Sequence, residues 1–198
     1  MLTTREQILQ AVFDDLRVHG YQGLRPDKVV ADKLHLTKGA LYHHFKQGKL
    51  EIGHAVVDEI LYPRYTAPWR GLAVHVGDPI AYVQQVLQHL QHHFTDQHLY
   101  GCPLNNLIQE MSPLDEGFRL RLKRITDEIQ RHIMLGLQRG QAHGYVAAQV
   151  EPDAVANFVL ATIEGAYTVA KVARDPTAFS HCLAQLSHYL DTLRAKSA

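Results

Sequence analysis

Apolar residues recur at three- and four-residue steps through most of the chain. Ile80, Val83, Leu87, Leu90 and Phe94 form one series, Phe118, Leu122, Ile125, Ile129, Ile133 and Leu137 a second, and Leu183, Leu186, Leu190 and Leu193 a third. That period puts each series on one face of an amphipathic helix. Strand-like alternation is missing. Asp78-Pro79, Cys102-Pro103, Ser112-Pro113, Glu151-Pro152 and Asp175-Pro176 each place a plausible cap before a proline at the first helical position, where its missing N–H is harmless. The pattern predicts an all-α fold with no βαβ unit and no internal repeat.

The amino-terminal region is built from shorter pieces. Thr3 and Glu6 suit a capping box ahead of a helix with Ile8, Leu9, Val12, Phe13 and Leu16 on its apolar face, ended by Gly20 and Gly23. Pro26 opens a second helix over 27–34, His35-Leu36 makes a turn, and Thr37 caps a third helix over 38–44. Two short helices joined by a tight turn are a helix-turn-helix arrangement. Residues 1–50 hold eight Lys/Arg against five Asp/Glu, and residues 51–198 hold 12 against 15, so the positive charge sits with that arrangement.

The chain of 198 residues has length for one large domain or two small ones. Lys+Arg and Asp+Glu are 20 each, which excludes a uniformly basic coat. Two cysteines, Cys102 and Cys182, are too few for a disulfide framework and point to a reducing compartment. The longest apolar candidate, 154–163, is broken by Asn157 and Thr162 and falls short of the ~20 residues of a membrane span. With no apolar leader at the start, a cytoplasmic protein without a membrane partner is expected. There is no GxSxG, HExxH, Walker loop or GxGxxG followed by an acidic residue, so neither catalysis nor a cofactor is implied.

The segment from Val30 to Phe45, VADKLHLTKGALYHHF, resembles the helix-turn-helix signature of TetR/AcrR-type repressors, most specifically in Gly39-x-Leu41-Tyr42-x-His44-Phe45. Gly101-Cys102-Pro103-Leu104 with Glu110, and Gly165 in an apolar helix, look like one branch of that family's ligand-binding domains. The resemblance implies an all-α chain with a three-helix DNA-binding domain at 1–48 and a helical ligand-binding and dimerisation domain at 49–198. Two departures stand out: His35 occupies a turn position where Gly is usual, and Phe45–Lys49 is one residue longer than the usual spacing.

A recognition helix reads the major groove with its first two turns, which selects Lys38, Ala40, Tyr42 and His43. Lys38 suits guanine O6/N7, Ala40 a thymine methyl, and Gly39 a close backbone approach. Thr37, Tyr42, His44 and Lys49 suit phosphates. Leu41 and Phe45 are expected to face inward.

Double-stranded operator DNA, a second copy of the chain and a small-molecule effector are the implied partners. Candidate effector-lining residues are Leu87, Leu90, Phe94, Cys102, Met111, Ile125, Ile129, Phe158, Thr162 and Tyr167, many equally explained as core. Cys102 precedes a helix, where the macrodipole lowers a thiol pKa, so it is either an electrophile or oxidant sensor or a packing residue. His89, His92 and His93 have metal-type spacing but fall off the buried stripe of their helix, so no metal site is assigned. Arg119, Arg121, Lys123 and Arg124 read as a solvated face. Dimer contacts are expected from Gly165, Ala166, Leu183, Leu186, Leu190 and Leu193 on the last two helices. The resulting expectation is a homodimeric repressor released from a palindromic operator by a small apolar or electrophilic effector. The alternative is a small all-α enzyme or carrier using His or Cys102 chemistry.

Overall fold

A computed structural model describes residues 2–195, and among them no strand occurs. The sole extended pairing is an isolated antiparallel bridge between Val146 and Arg194. The helices are α1 (Thr4–Gly23), α2 (Pro26–Leu34), α3 (Lys38–His44), α4 (Lys49–Val56), α5 (Tyr62–Arg70), α6 (Pro79–His92), α7 (Pro103–Met111), α8 (Glu116–Ala142), α9 (Pro152–Ala173) and α10 (Pro176–Asp191). No helix among the described residues is long and apolar enough to cross a membrane.

Local chemistry accounts for most of the boundaries. Thr3 and Glu6 form the reciprocal capping box at the start of α1. The Asp78 and Asp175 carboxylates accept the Ile80 and Thr177 amides, each at 2.8 Å, at the starts of α6 and α10. Ser112-Pro113 departs from the expectation: no helix begins there, and α8 starts three residues later because Asp115 accepts the Phe118 amide at 2.7 Å. α6 stops at His92, so Phe94 lies beyond its C-cap.

The segment between α4 and α5, Val57–Leu61, is a π-helix in which the Tyr62 amide reaches back to the Val57 carbonyl. Pro63 follows at once. Its ring would clash with the carbonyl four residues back in a regular α-helix, and the wider turn lets the helix continue through it.

By contact, the chain forms two compact units. The first takes the described residues up to Arg64 together with Pro103–Arg124; the second takes Tyr65–Cys102 and the described residues from Ile125 onward. The division expected at 48/49 differs from the packing, which carries the first unit on to Arg64 and recruits α7 and the start of α8 into it. There Ile8, Val12, Leu41, Phe45, Ile52, Val56, Leu107 and Phe118 are buried. In the second unit α8 buries Ile125, Ile129, Ile133 and Leu137, and α10 buries Leu183, Leu186 and Leu190. The Gln84 side-chain amide ties α6 to α10 by donating to the Ser187 carbonyl at 3.2 Å and Asp191 Oδ1 at 3.0 Å.

Candidate nucleic-acid interface and effector site

In the first unit, the turn between α2 and α3 is closed by His35 in the left-handed region, φ 55°, whose amide bonds the Val30 carbonyl. A side chain therefore tolerates the conformation that Gly adopts more easily. Thr37 caps α3, its hydroxyl accepting the Ala40 amide at 3.2 Å. Leu41 and Phe45 are 2% and 0% exposed, so α3 has a sealed inner face. On its outer face Lys38, Gly39, Tyr42 and His43 are exposed, and Ala40 and His44 are half-buried. Lys38 Nζ lies 5.8 Å from the centroid of the Tyr42 ring, one helical turn on.

Two features hold this helix in place. The Arg5 guanidinium sits 5.0 Å over the Phe45 ring and pairs with Glu59. The lengthened connection between α3 and α4 closes through Gly48, φ 67°, against which the Tyr42 ring packs. Lys49 is engaged otherwise than the phosphate reading expects. Its Nζ donates to the Gln22 carbonyl at 3.0 Å and lies 4.8 Å over the Tyr21 ring, and burial lowers its pKa. The ammonium is committed to the packing of α1 against α4.

Of the basic residues at the start of α8, Arg119, Lys123 and Arg124 are exposed and Arg121 is half-buried, which fits a solvated helix face, and three of them also have partners within the unit. Arg121 donates to Asp58 at 2.9 Å and the Arg124 guanidinium stacks 4.0 Å over the Tyr62 ring, while Arg119 pairs with its neighbour Glu116.

In the second unit the conspicuous polar group is a buried trio. Cys102 Sγ lies 3.4 Å from Tyr65 Oη and 3.5 Å from Glu164 Oε1. Burial raises the Tyr65 pKa well above its ordinary value and pushes Glu164 up to about 7, against the opposing contact with Cys102. Beside the trio on α9 is Tyr167, which forms an aromatic cluster with Phe94 and Phe179 at centroid separations of 6.0 and 4.5 Å.

A profile described as "Tetracyclin repressor-like, C-terminal domain" matches residues 79–186, more than half of the chain. The chain belongs to the TetR family of transcriptional regulators. An HTH-type transcriptional regulator of the lacX 3′ region in Lactococcus lactis is 30% identical over 173 residues, 87% of this chain and 85% of the relative. The HTH-type transcriptional repressor DhaR of Mycobacterium sp. is 26% identical over 156 residues, 79% and 76% of the two chains. A TetR transcriptional regulator from Chloroflexus aurantiacus superposes with a TM-score of 0.79 at 25% identity, covering 98% and 97%. Membership in a family of regulators sets aside the enzyme-or-carrier alternative.

For this TetR-family regulator, the expected effector residues fall into three groups. Phe94, Cys102 and Tyr167 come together around the trio and the aromatic cluster. Leu87, Ile125 and Ile129 are buried in the second unit, where Leu90 is half-buried. Three do not join them. Met111 packs in the first unit, where its sulfur accepts from the Gln22 side chain at 3.9 Å. Phe158, 47% exposed, and Thr162 lie on the outer face of α9 beside His181, Cys182, Gln185 and Tyr189 of α10, the ring of Tyr189 meeting Phe158 edge-on at 4.8 Å.

The leucines expected at the dimer contact also need correcting. Leu183, Leu186, Leu190 and Leu193 are 1, 2, 0 and 8% exposed within a single chain, and Ala166 is 1%. Their stripe serves the protomer's own core. Gly165 is exposed, and a Cβ there would meet nothing within 4 Å. With Ala154, Phe158, Ala161, Val169 and Val172 it forms a continuous outward apolar stripe of α9.

His89, His92 and His93 are exposed at the end of α6, the rings of His89 and His93 3.9 Å apart. Tyr65 and Glu164 were missed by the sequence reading. Glu164 had a signal: it is the single charged residue between Asp153 and Lys171.

Proposed function

We propose that the protein is a ligand-responsive homodimeric repressor that occupies a palindromic operator through one α3 helix per protomer. Residues 1–48 read DNA, and residues 49–198 bind the effector and the second copy. Lys38 donates to guanine O6/N7, Ala40 meets a thymine methyl, and Gly39 lets the backbone approach, with His43 at the groove edge. Thr37, Tyr42 and His44 contact phosphates and set the register.

The observation that carries this reading is the division of α3 into a sealed face, Leu41 with Phe45, and an exposed face of Lys38, Gly39, Tyr42 and His43. The repressor DhaR among the relatives supports the sign of the regulation. The outward stripe of α9, with Cys182 and Tyr189 of α10, is the face given to the second copy. The effector is a small, largely apolar molecule bound in the second unit near Phe94, Cys102 and Tyr167.

Sequencing of duplexes selected by the purified protein tests the reading. Enrichment of an inverted repeat with half-sites about one helical turn, ~34–36 Å, apart is expected. Recovery of no enriched sequence would overturn it.

A further inference from the structure

Among the described residues, two side chains of the second unit, Glu164 and His132, each leave one buried polar atom without a hydrogen-bond partner, and Glu164 does so beside Tyr65 and the expected effector residue Cys102. Oε1 faces the Cys102 sulfur at 3.5 Å, whereas Oε2 is buried with no hydrogen-bond partner. A buried carboxyl oxygen without a donor is unfavourable, and native structures seldom keep one without a reason.

The protons of the trio explain the gap. Tyr65 has one O–H and Cys102 one S–H. With Glu164 ionised, a chain in which Tyr65 donates to the sulfur and the thiol donates to Oε1 uses both, and Oε2 remains an acceptor with nothing to accept. Tyr65 and Glu164 are half-buried as residues, while Oε2 itself and Cys102 are buried, so a ligand reaches this oxygen by displacing the side chains around it. The torsion that exchanges the two carboxyl oxygens is soft, and either oxygen can turn toward an incoming group.

The charge that would suit the site follows. Titratable neighbours are Cys102 and Tyr65 from the segments facing Glu164, Tyr167 on its own helix, and His98, whose ring lies 6.0 Å from that of Tyr167; no ion pair of Glu164 is present among the described residues. An anion would add negative charge to a medium that already disfavours the carboxylate. A neutral hydroxyl would supply one ordinary hydrogen bond. A protonated amine supplies the missing donor and the missing charge together, and charge-assisted bonds are the stronger kind. Tyr167, three residues on from Glu164 and stacked on Phe94, offers an apolar wall for the rest of such a molecule.

Resting on the reading of the second unit as the effector-binding part, we infer that the Tyr65–Cys102–Glu164 cluster binds the ammonium head of a small amphiphilic amine. Glu164 Oε2 accepts the ammonium hydrogen bond, and the apolar tail lies toward Phe94 and Tyr167.

The test uses the full-length protein with three probes of equal length: hexylamine, hexanol and hexanoate. Binding is followed at neutral pH by the fluorescence of Trp69, which is buried in the second unit, and by release of a selected duplex. Hexylamine is expected to bind about tenfold more tightly than hexanol, with hexanoate weakest. In Glu164→Gln the amine and the alcohol should bind alike, with alcohol affinity and duplex binding retained.

A second measurement needs no variant. Because Glu164 titrates near 7, amine binding to the wild-type protein should release about half a proton, read by calorimetry in buffers of different ionisation enthalpy, whereas hexanol should release none. An amine preference that survives in Glu164→Gln, equal binding of amine and alcohol by wild type, amine binding without proton release, or no amine binding at millimolar concentration overturns the inference. Glu164-dependent amine binding by a protein that selects no duplex would instead overturn the repressor reading and leave this one standing.

Discussion

The Glu110 carboxylate holds the backbone of Tyr21, its Oε2 accepting the Tyr21 amide at 2.8 Å while Oε1 accepts that of Gln22 at 2.6 Å. Those amides are free because α1 leaves its regular spiral at Gly20, φ 71°. Lys49 closes the same turn from the opposite charge, donating to the Gln22 carbonyl. An acid on α7 and a base on α4 thus fix the last turn of α1.

Replacing that acid should loosen the turn. Glu110→Gln puts an amide NH2 against one of the two backbone donors, and a loss of ~1–3 kcal/mol of unfolding free energy is expected. Sequence preference for DNA should not change. Urea denaturation and titrations with matched and scrambled duplexes read both quantities, and unaltered stability would refute the account.

Lys38 and Lys49 should separate cleanly. Lys38→Ala is expected to cost ~1–3 kcal/mol on the matched duplex and little on a scrambled one. Lys49→Ala should lower the unfolding temperature and leave the salt dependence of DNA binding where it was, since its ammonium is already hydrogen-bonded inside the protein. A shallower salt slope for Lys49→Ala would return that residue to the phosphate backbone.

On the outer face of α9, Phe158→Asp should yield a folded protein that sediments as a monomer at micromolar concentration. Leu186→Ala, changing a residue 2% exposed within one chain, should lose ~2–5 kcal/mol of stability as a core truncation. Phe158→Asp sedimenting as a dimer would place the second copy elsewhere.

The pH dependence of stability should carry the imprint of Glu164. Its folded pKa, about 7, lies above the ordinary 4.5, so between those values the folded state holds the proton that the unfolded state has released. Stability attributable to this group is therefore complete below pH 4.5, falls as pH rises to 7 and is flat above. The full difference is roughly 3 kcal/mol. Denaturation from pH 5 to 8 should show that slope in wild type relative to Glu164→Gln; parallel curves would mean the carboxyl is not buried in solution.

What the sequence made legible is local. Thr3 with Glu6, Thr37 with Ala40 and His35 in its turn involve neighbours within a few residues, and the residue types name the geometry. Glu110 and Tyr21 are 89 residues apart, as far as Gln91 and Ser180, and no spacing rule joins such pairs. The leucines of α10 show a different limit. Periodicity reports that a face is buried but not by what, and the inward stripe was read as the contact with a second chain. Ser112-Pro113 failed because Asp115, two residues beyond Pro113, competes as a cap. Glu164 was passed over although a lone acid in an uncharged helical stretch is a costly thing to bury.

The discontinuity of the first unit limits how such a protein can be recombined. A chimera made by cutting after α3, or after Arg64, leaves behind the Pro103–Arg124 segment that belongs to that unit. It would strip Glu110 from the α1 turn and Phe118 from the edge of the Tyr21 ring, 4.8 Å away. The transplantable cassette is two separated stretches of coding sequence, which single crossovers cannot carry together. Substitution within Tyr65–Cys102 or beyond Ile125, by contrast, alters the second unit and leaves both stretches of the first in place.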